Sequence, residues 1–272
     1  MSGALDAAVL AVMREACERA IMPRYQALAT HEIEEKASAG TLDDLVTIAD
    51  KESELILAEG LAKLLPEAAI VGEEAADADP AVLDRLGDAL CWIIDPIDGT
   101  NNYAAGKPPF GVLVALAERG VTIGGWIYDP LRDRFCQAQA GKGALVNGER
   151  VVARGGGHVP PIAAISLVFA DAAERVRLKE GIAPHYTCVD IPRCAAEQYP
   201  RLVLGENDLT VFSRTLAWDH AAGVLFVNEA GGKVARPDGR AYRVDEHMQP
   251  GLIGASSPGL WEELAIRIAQ QT

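Results

Sequence analysis

The chain has 272 residues, with Lys+Arg 25 against Asp+Glu 39, a net charge of −14, 49% hydrophobic and 24% charged residues. Such a composition fits one large domain or two packed lobes, and it excludes disorder, collagen and coiled coil. The acidic balance also excludes general nucleic-acid binding and attraction to anionic membranes, both of which need a cationic face. A phosphorylated small molecule stays compatible if something local inverts the field.

In chain order, Leu5, Val9, Val12, Met13 and Ala16 recur at helical spacing and predict an amphipathic helix over 5–29. No basic leader precedes it, and no uncharged apolar run approaches the roughly 18 residues of a membrane span. Five scattered cysteines (Cys17, Cys91, Cys136, Cys188, Cys194) without C-x-x-C fit reduced thiols, so the expectation is a cytoplasmic chain. A second helical pattern runs over 41–65 through Leu42, Leu45, Ile48, Leu55, Leu61 and Leu65, and Pro66 ends it. Residues 69–71 and 91–94 read as short buried strands, the second stopped by Asp95-Pro96.

Residues 110–138 are β-like, with turns at Glu118-Arg119-Gly120 and Asp129-Pro130; Asn147-Gly148 marks a hairpin. Gly155-Gly156-Gly157 and Pro160-Pro161 suggest a boundary between lobes of about 1–154 and 155–272. Apolar segments at 162–170 and 201–204, a β-rich 209–212, and a helix over 221–230 closed by Gly231 complete the chain. There is no internal repeat, and the order of elements predicts mixed α and β layers.

The most informative stretch is Asp95-Pro96-Ile97-Asp98-Gly99-Thr100-Asn101-Asn102. Two carboxylates three residues apart, stiffened by Pro96, could share a hard cation with the Ile97 carbonyl. Gly99 and Thr100 add backbone N–H groups that would favour an anion if a helix starts there. A turn whose Asp caps a helix explains the same residues when the motif stands alone. Asp50 ends an apolar-patterned segment, Glu73 and Glu74 follow a strand, and Asp219 stands at a helix start. Their plain alternatives are a solvated helical Asp, an acidic loop and an N-cap.

Together the motifs stop looking independent. DLVTIAD, GEE, WIIDPIDGTNNY and WDHAAG resemble the signatures of the inositol monophosphatase family, among the lithium-sensitive, metal-dependent phosphatases. GKGALVNGE and NEAGG resemble its ancillary segments, so the likeness spans nearly the whole chain. The resemblance implies a layered αβαβα sandwich of the type shared with fructose bisphosphatases. It also implies Mg²⁺-dependent phosphate monoester hydrolysis by direct in-line attack of a metal-activated water, in a homodimer inhibited by Li⁺. Glu73, Asp95 and the Ile97 carbonyl would hold a first Mg²⁺; Asp95, Asp98 and Asp219 a second; Glu73 would help a third. Asp50, Thr100 and Glu73 would be catalytic, and Asp98, Gly99 and Thr100 would bind phosphate. The physics agrees, because crowded carboxylates repel by several kcal/mol per close pair until cations neutralise them. No G-x-S-x-G or Walker motif suggests a covalent route or a nucleotide loop.

The specificity half departs from the pattern. Where the family has Gly-[Ser/Thr]-Ala-Ala, this chain has Arg193-Cys194-Ala195-Ala196, and Phe212 replaces a Glu seven residues before the Trp-Asp acid. Arg193, Cys194, Ala195 and Phe212 therefore form a candidate substrate pocket unsuited to inositol, and Arg193 would suit a second anionic group. Histidinol phosphate, fructose 1,6-bisphosphate and 3′-phosphoadenosine 5′-phosphate are alternative substrates, and a non-catalytic regulatory binding protein is the alternative of another class. Trp92, Trp218 and Cys194 read as packing residues, Lys142 as a solvated hairpin residue, and His220 as a neighbour of the site rather than a ligand.

Overall fold

The computed structural model describes residues 3–35, 45–247 and 249–271. Helix α1 (Gly3–Ala16) buries Val9, Val12, Met13 and Ala16 along one face. Helical turns continue only to Arg24, and the chain is extended at Tyr25, so the helix expected over 5–29 ends early at the Pro23 turn. Strand β1 (Ile33–Glu35) pairs antiparallel with β2 (Leu45–Thr47). The helix expected over 41–65 is corrected: Leu42 lies outside the described residues, Leu45 is in a strand, and α2 is Ile48–Leu64. A reciprocal capping box sets that start. The Thr47 hydroxyl accepts from Ala49 N, while the Asp50 carboxylate accepts from Thr47 N at 2.8 Å.

After α2 come β3 (Ala69–Gly72), α3 (Glu73–Ala78), β4 (Cys91–Asp98), α4 (Thr100–Ala104) and β5 (Gly111–Glu118). Then follow β6 (Val121–Asp129), β7 (Arg134–Gln139), β8 (Gly143–Val146) and β9 (Glu149–Val151). These strands make a seven-stranded sheet in sequence order, with β3 parallel to β4 and the other pairs antiparallel. Strand β4 is not stopped at Asp95-Pro96. A register shift between Asp95 and Asp98 absorbs the proline, which has no N–H to give the ladder. The two predicted tight turns put Arg119-Gly120 at φ 47° and 80° and Asn147-Gly148 at φ 49° and 83°, as hairpin turns require.

The rest of the chain supplies β10 (Ile162–Ile165), α5 (Ala172–Val176), β11 (Thr187–Cys188), α6 (Ala195–Leu204) and β12 (Leu209–Phe212). Helix α7 (Ala217–Glu229), β13 (Lys233–Ala235), β14 (Leu252–Ala255) and α8 (Pro258–Ala269) complete it. The second sheet has the order β11-β10-β12-β14-β13. Residues 201–204 fall inside α6. Helix α7 starts four residues before the expected 221, capped by extended Leu216, and Asp219 sits inside its first turn rather than at the cap.

Strand alternation sorts the core into layers. Trp92, Ile94, Val114 and Trp126 pack under α1 and α2, whereas Ile93, Leu113, Ala115 and Ile127 face α6 and α7. Val234 and Leu252 of the second sheet face those same two helices. Leu209, Val211 and Ile253 point the other way, onto Trp261 and Leu264 of α8. The result is the layered αβαβα fold. Its middle layer is close-packed through glycine: a Cβ on Gly223 would fall 1.9 Å from the Tyr199 ring. Gly223→Ala must therefore push α6 from α7, and we expect a loss of about 1–3 kcal/mol. That loss would appear as a fall of several degrees in Tm by circular dichroism; an unchanged Tm would show that the two helices part freely.

Candidate active site

Parallel pairing of β3 and β4 brings their carboxyl ends to one edge, Gly72 opposite Ile94. Glu73 begins α3 directly after β3, and Asp95 and Asp98 end β4. Asp219 reaches the same place from the first turn of α7. Asp95, Asp98 and Asp219 each offer an oxygen within 4.8 Å of the others, and they are the one such group of potential metal ligands found among the described residues. Glu73 stands outside that tight group but lines the same cleft, as do Ile97, Gly99 and Thr100. The cleft measures about 940 Å³, counting its open mouth.

Asp98, Asp50 and Glu54 are each anchored by hydrogen bonds. Asp98 accepts from the Ala196 N–H in the first turn of α6. Asp50 is fully buried at the head of α2, where it accepts from the Thr47 amide and, at 2.6 Å, from the Thr47 hydroxyl. The Thr100 hydroxyl lies 3.2 Å from Asp50 Oδ1 and 2.8 Å from the Ile97 carbonyl. Glu54, one turn after Asp50, accepts from the Glu74 and Ala75 N–H groups at 2.8 and 2.9 Å and so fixes the start of α3. Sequence reasoning missed Glu54; its signal is the i, i+4 spacing from Asp50 on one helix face.

Burial, then the charges of Glu73, Asp98 and Asp219, hold the Asp95 carboxyl well above the usual carboxylate range. Burial likewise lifts Asp98 to about 6, against the lowering pull of the Ala196 N–H. Asp95 Oδ1 is buried without a hydrogen-bond partner. An orphaned carboxylate oxygen among further acids is the donor set a hard cation requires, so the residues present fit Mg²⁺.

The other wall of the cleft carries the expected Arg193, Cys194, Ala195 and Phe212. Arg193 is exposed at the rim and adopts φ 53°, the left-handed backbone where the resembling segment has glycine. Cys194 is buried, with its Sγ 3.6 Å from the Asp98 carbonyl, and burial pushes its thiol well up, as befits a packing residue. Phe212 packs edge-on to His220 and beside Tyr199, with centroids 4.8 and 5.4 Å away. His220 is no ligand: its Nε2 donates to the Arg214 carbonyl at 3.0 Å, and its Nδ1 accepts from the Tyr199 hydroxyl at 2.6 Å. Burial drives its pKa down to about 3, so the ring is neutral. Trp92 and Trp218 are buried, and Lys142 is exposed. Arg214, Ser213, Gln198 and Phe169 also line the cleft, and the sequence pattern did not mark them.

A layered αβαβα frame with acids gathered at parallel strand ends, opposite a cleft for a small molecule, defines a class of phosphatases. The chain belongs to the inositol monophosphatase family, matching it over residues 5–272, and it is a phosphoric monoester hydrolase. It is 31% identical over 226 residues to the Nus factor SuhB of Vibrio cholerae, covering 79% of each chain. It is 30% identical over 197 residues to a Thermotoga maritima fructose-1,6-bisphosphatase/inositol-1-monophosphatase, covering 72% of this chain and 73% of the relative. The solved Thermotoga maritima IMPase superposes with a TM-score of 0.79 at 24% identity, over 99% of this chain and 98% of that one. Among the described residues no helix is long and apolar enough to cross a membrane.

The raised carboxyls make metal-free stability depend on pH. Folded Asp95 and Asp98 bind protons that the unfolded chain has already released, so stability is lost as pH rises from the ordinary carboxylate range through about 6. For Asp98 alone the loss is about 3 kcal/mol above that pH. Mg²⁺ would take the place of the protons. Its gain in Tm by differential scanning fluorimetry is therefore expected to be several degrees larger at pH 8 than at pH 5. Equal gains at both pH values would show that the ion binds elsewhere.

Proposed function

We propose that this protein is a Mg²⁺-dependent hydrolase of small phosphate monoesters, acting by direct in-line attack of water. The observation that carries the reading is the close triad of buried Asp95 and Asp98 with half-buried Asp219, in which an Asp95 oxygen is left unpartnered. Those three acids, Glu73 and the Ile97 carbonyl would hold the ions. Bound there, Mg²⁺ supplies charge neutralisation, phosphate orientation and a lowered water pKa.

The protein's own residues do the rest. Asp50 is locked by Thr47 and faces the Thr100 hydroxyl at 3.2 Å, so the pair can orient an attacking water and take up its proton. Gly99, at φ 85°, precedes α4 and with Thr100 would offer backbone N–H groups to phosphate oxygens. In this reading the chain to about residue 154 supplies the chemistry. Residues from about 155 onward supply the substrate wall and the last ligand, Asp219. A purely regulatory binding role would leave the buried acids without a purpose.

Chelation with EDTA is expected to abolish phosphate release and added Mg²⁺ to restore it. Asp98→Asn should lower kcat on the order of 10²-fold or more while the fold persists. Glu74→Gln should matter far less than Glu73→Gln. Near-normal turnover by Asp98→Asn would place the chemistry elsewhere.

Phe212 gives a polyol hydroxyl no acceptor, and an unpaired hydroxyl costs about 1–3 kcal/mol where water is excluded. The parent should therefore discriminate poorly in favour of inositol 1-phosphate. Phe212→Glu should raise its kcat/KM relative to glycerol phosphate by about tenfold. A parent that already favours inositol 1-phosphate a hundredfold would contradict this.

A further inference from the structure

Although the chain carries a net charge of −14, Arg193 and Arg214 both line the cleft, and among the described residues the acids that line it are the proposed ligands Glu73, Asp95, Asp98 and Asp219. Arg193 sits exposed at the rim, whereas Arg214 is built into the wall. The Arg214 carbonyl accepts from His220 Nε2 at 3.0 Å, which fixes the backbone. The guanidinium carbon stacks 3.6 Å from the Phe169 ring centroid, which fixes the plane of the fork. One nitrogen lies 3.9 Å from Asp219, so the cation borders the metal-ligand cluster without entering it.

Beside it, Ser213 Oγ and Gln198 Oε1 are buried in the same wall without hydrogen-bond partners. Gln198 is oriented by its Nε2, which donates to Thr210 Oγ1 at 2.7 Å. A planar, stacked guanidinium next to uncommitted polar groups is the arrangement that reads a phosphate or carboxylate by paired hydrogen bonds. A plain polyol has no use for it.

Building on the phosphatase reading above, we propose that Arg214 receives a second anionic group on the substrate, away from the phosphate that is cleaved. Arg193 adds charge at the rim. Ser213 and Gln198 contact the neutral part of the molecule. The substrate class is then a phosphate monoester that also bears a carboxylate or a further phosphate. Arg214 stands in the wall because His220 and Phe169 hold it there.

The test is hydrolysis with Mg²⁺ of two matched pairs that differ only in the second anion. Glycerol 3-phosphate against 3-phosphoglycerate reads a carboxylate, and adenosine 3′-phosphate against adenosine 3′,5′-bisphosphate reads a phosphate. In the parent, kcat/KM for the doubly anionic member of at least one pair should exceed its partner tenfold or more. Arg214→Gln should bring that ratio close to one. Phe169→Ala, which removes only the stacking face at a partly exposed position, should reduce it severalfold. A parent ratio near one in both pairs, with all four compounds hydrolysed, overturns the proposal and leaves the phosphatase reading intact. A ratio that survives Arg214→Gln also overturns it. If none of the four is hydrolysed while inositol 1-phosphate is, the proposal is overturned and the phosphatase reading stands.

Discussion

Three carboxylates that share a buried pocket repel one another, and the architecture is arranged to hold them there. Asp95, Asp98 and Asp219 come within 4.8 Å, and burial of the first two leaves little water to screen them. Arg214 borders the group, 3.9 Å from Asp219. The protein steadies the acids from outside with backbone dipoles: Ala196 N–H on Asp98, and the head of α3 gripped by Glu54 beside Glu73. What remains is an inward-facing field that protons or cations must satisfy, and the upward shifts of Asp95 and Asp98 express it.

That demand explains why the site needs elements from distant parts of the chain. Helix α6 must present its first N–H groups to Asp98 at the end of β4, so its start has to be fixed against the seven-stranded sheet. Glu197, the residue after Ala196, does this. It accepts from Arg132 at 3.0 Å and from Arg134, both beyond the β6 end, and from Arg201 at 3.0 Å within its own helix. Burial alone would raise its carboxyl, but Arg134 and the other cations outweigh burial and keep it below the usual range. A buried carboxylate paired this fully costs little to retain and much to break on one side. The glycine contacts at Gly125 on Ala222 and Gly223 on Tyr199 draw α7 into the same layer, and with it Asp219.

Much of this was legible in the sequence because the proposed ligands lie in short rigid motifs. Asp95 to Thr100 form one strand-turn-helix unit, and its proline and glycine allow few alternatives. Asp50 was placed less well. Leu42, Leu45 and Ile48 keep helical spacing, yet the capping box between Thr47 and Asp50 ends a strand at Thr47 and begins the helix after it. Periodicity cannot see that boundary, whereas the Thr-x-x-Asp spacing can. Asp219 was expected as a metal ligand at a helix start, where an N-cap was the plain alternative. Leu216 occupies the cap position, and Asp219, inside the first turn, lines the cleft. Strand β4 ran on past Pro96 because its register shifts there, a tertiary event with no local sign.

Arg214 had no such sign. It is five residues before Asp219, in the segment 213–216 between β12 and α7, and becomes meaningful only when Phe169 and His220 converge on it from elsewhere in the fold. The difference follows from the two tasks. Ligands for a cation must meet within a few ångströms, so they are carried on strand ends and first helical turns whose geometry is strict and whose motifs are short. A wall that recognises the remainder of a substrate can be assembled from single residues on connecting segments, where backbone constraints are loose and many sequences serve. The proposed chemistry is therefore written in contiguous motifs, while the proposed selectivity is written in tertiary contacts. Phe212 and Arg193 can depart from an inositol pattern without disturbing the nearby acids.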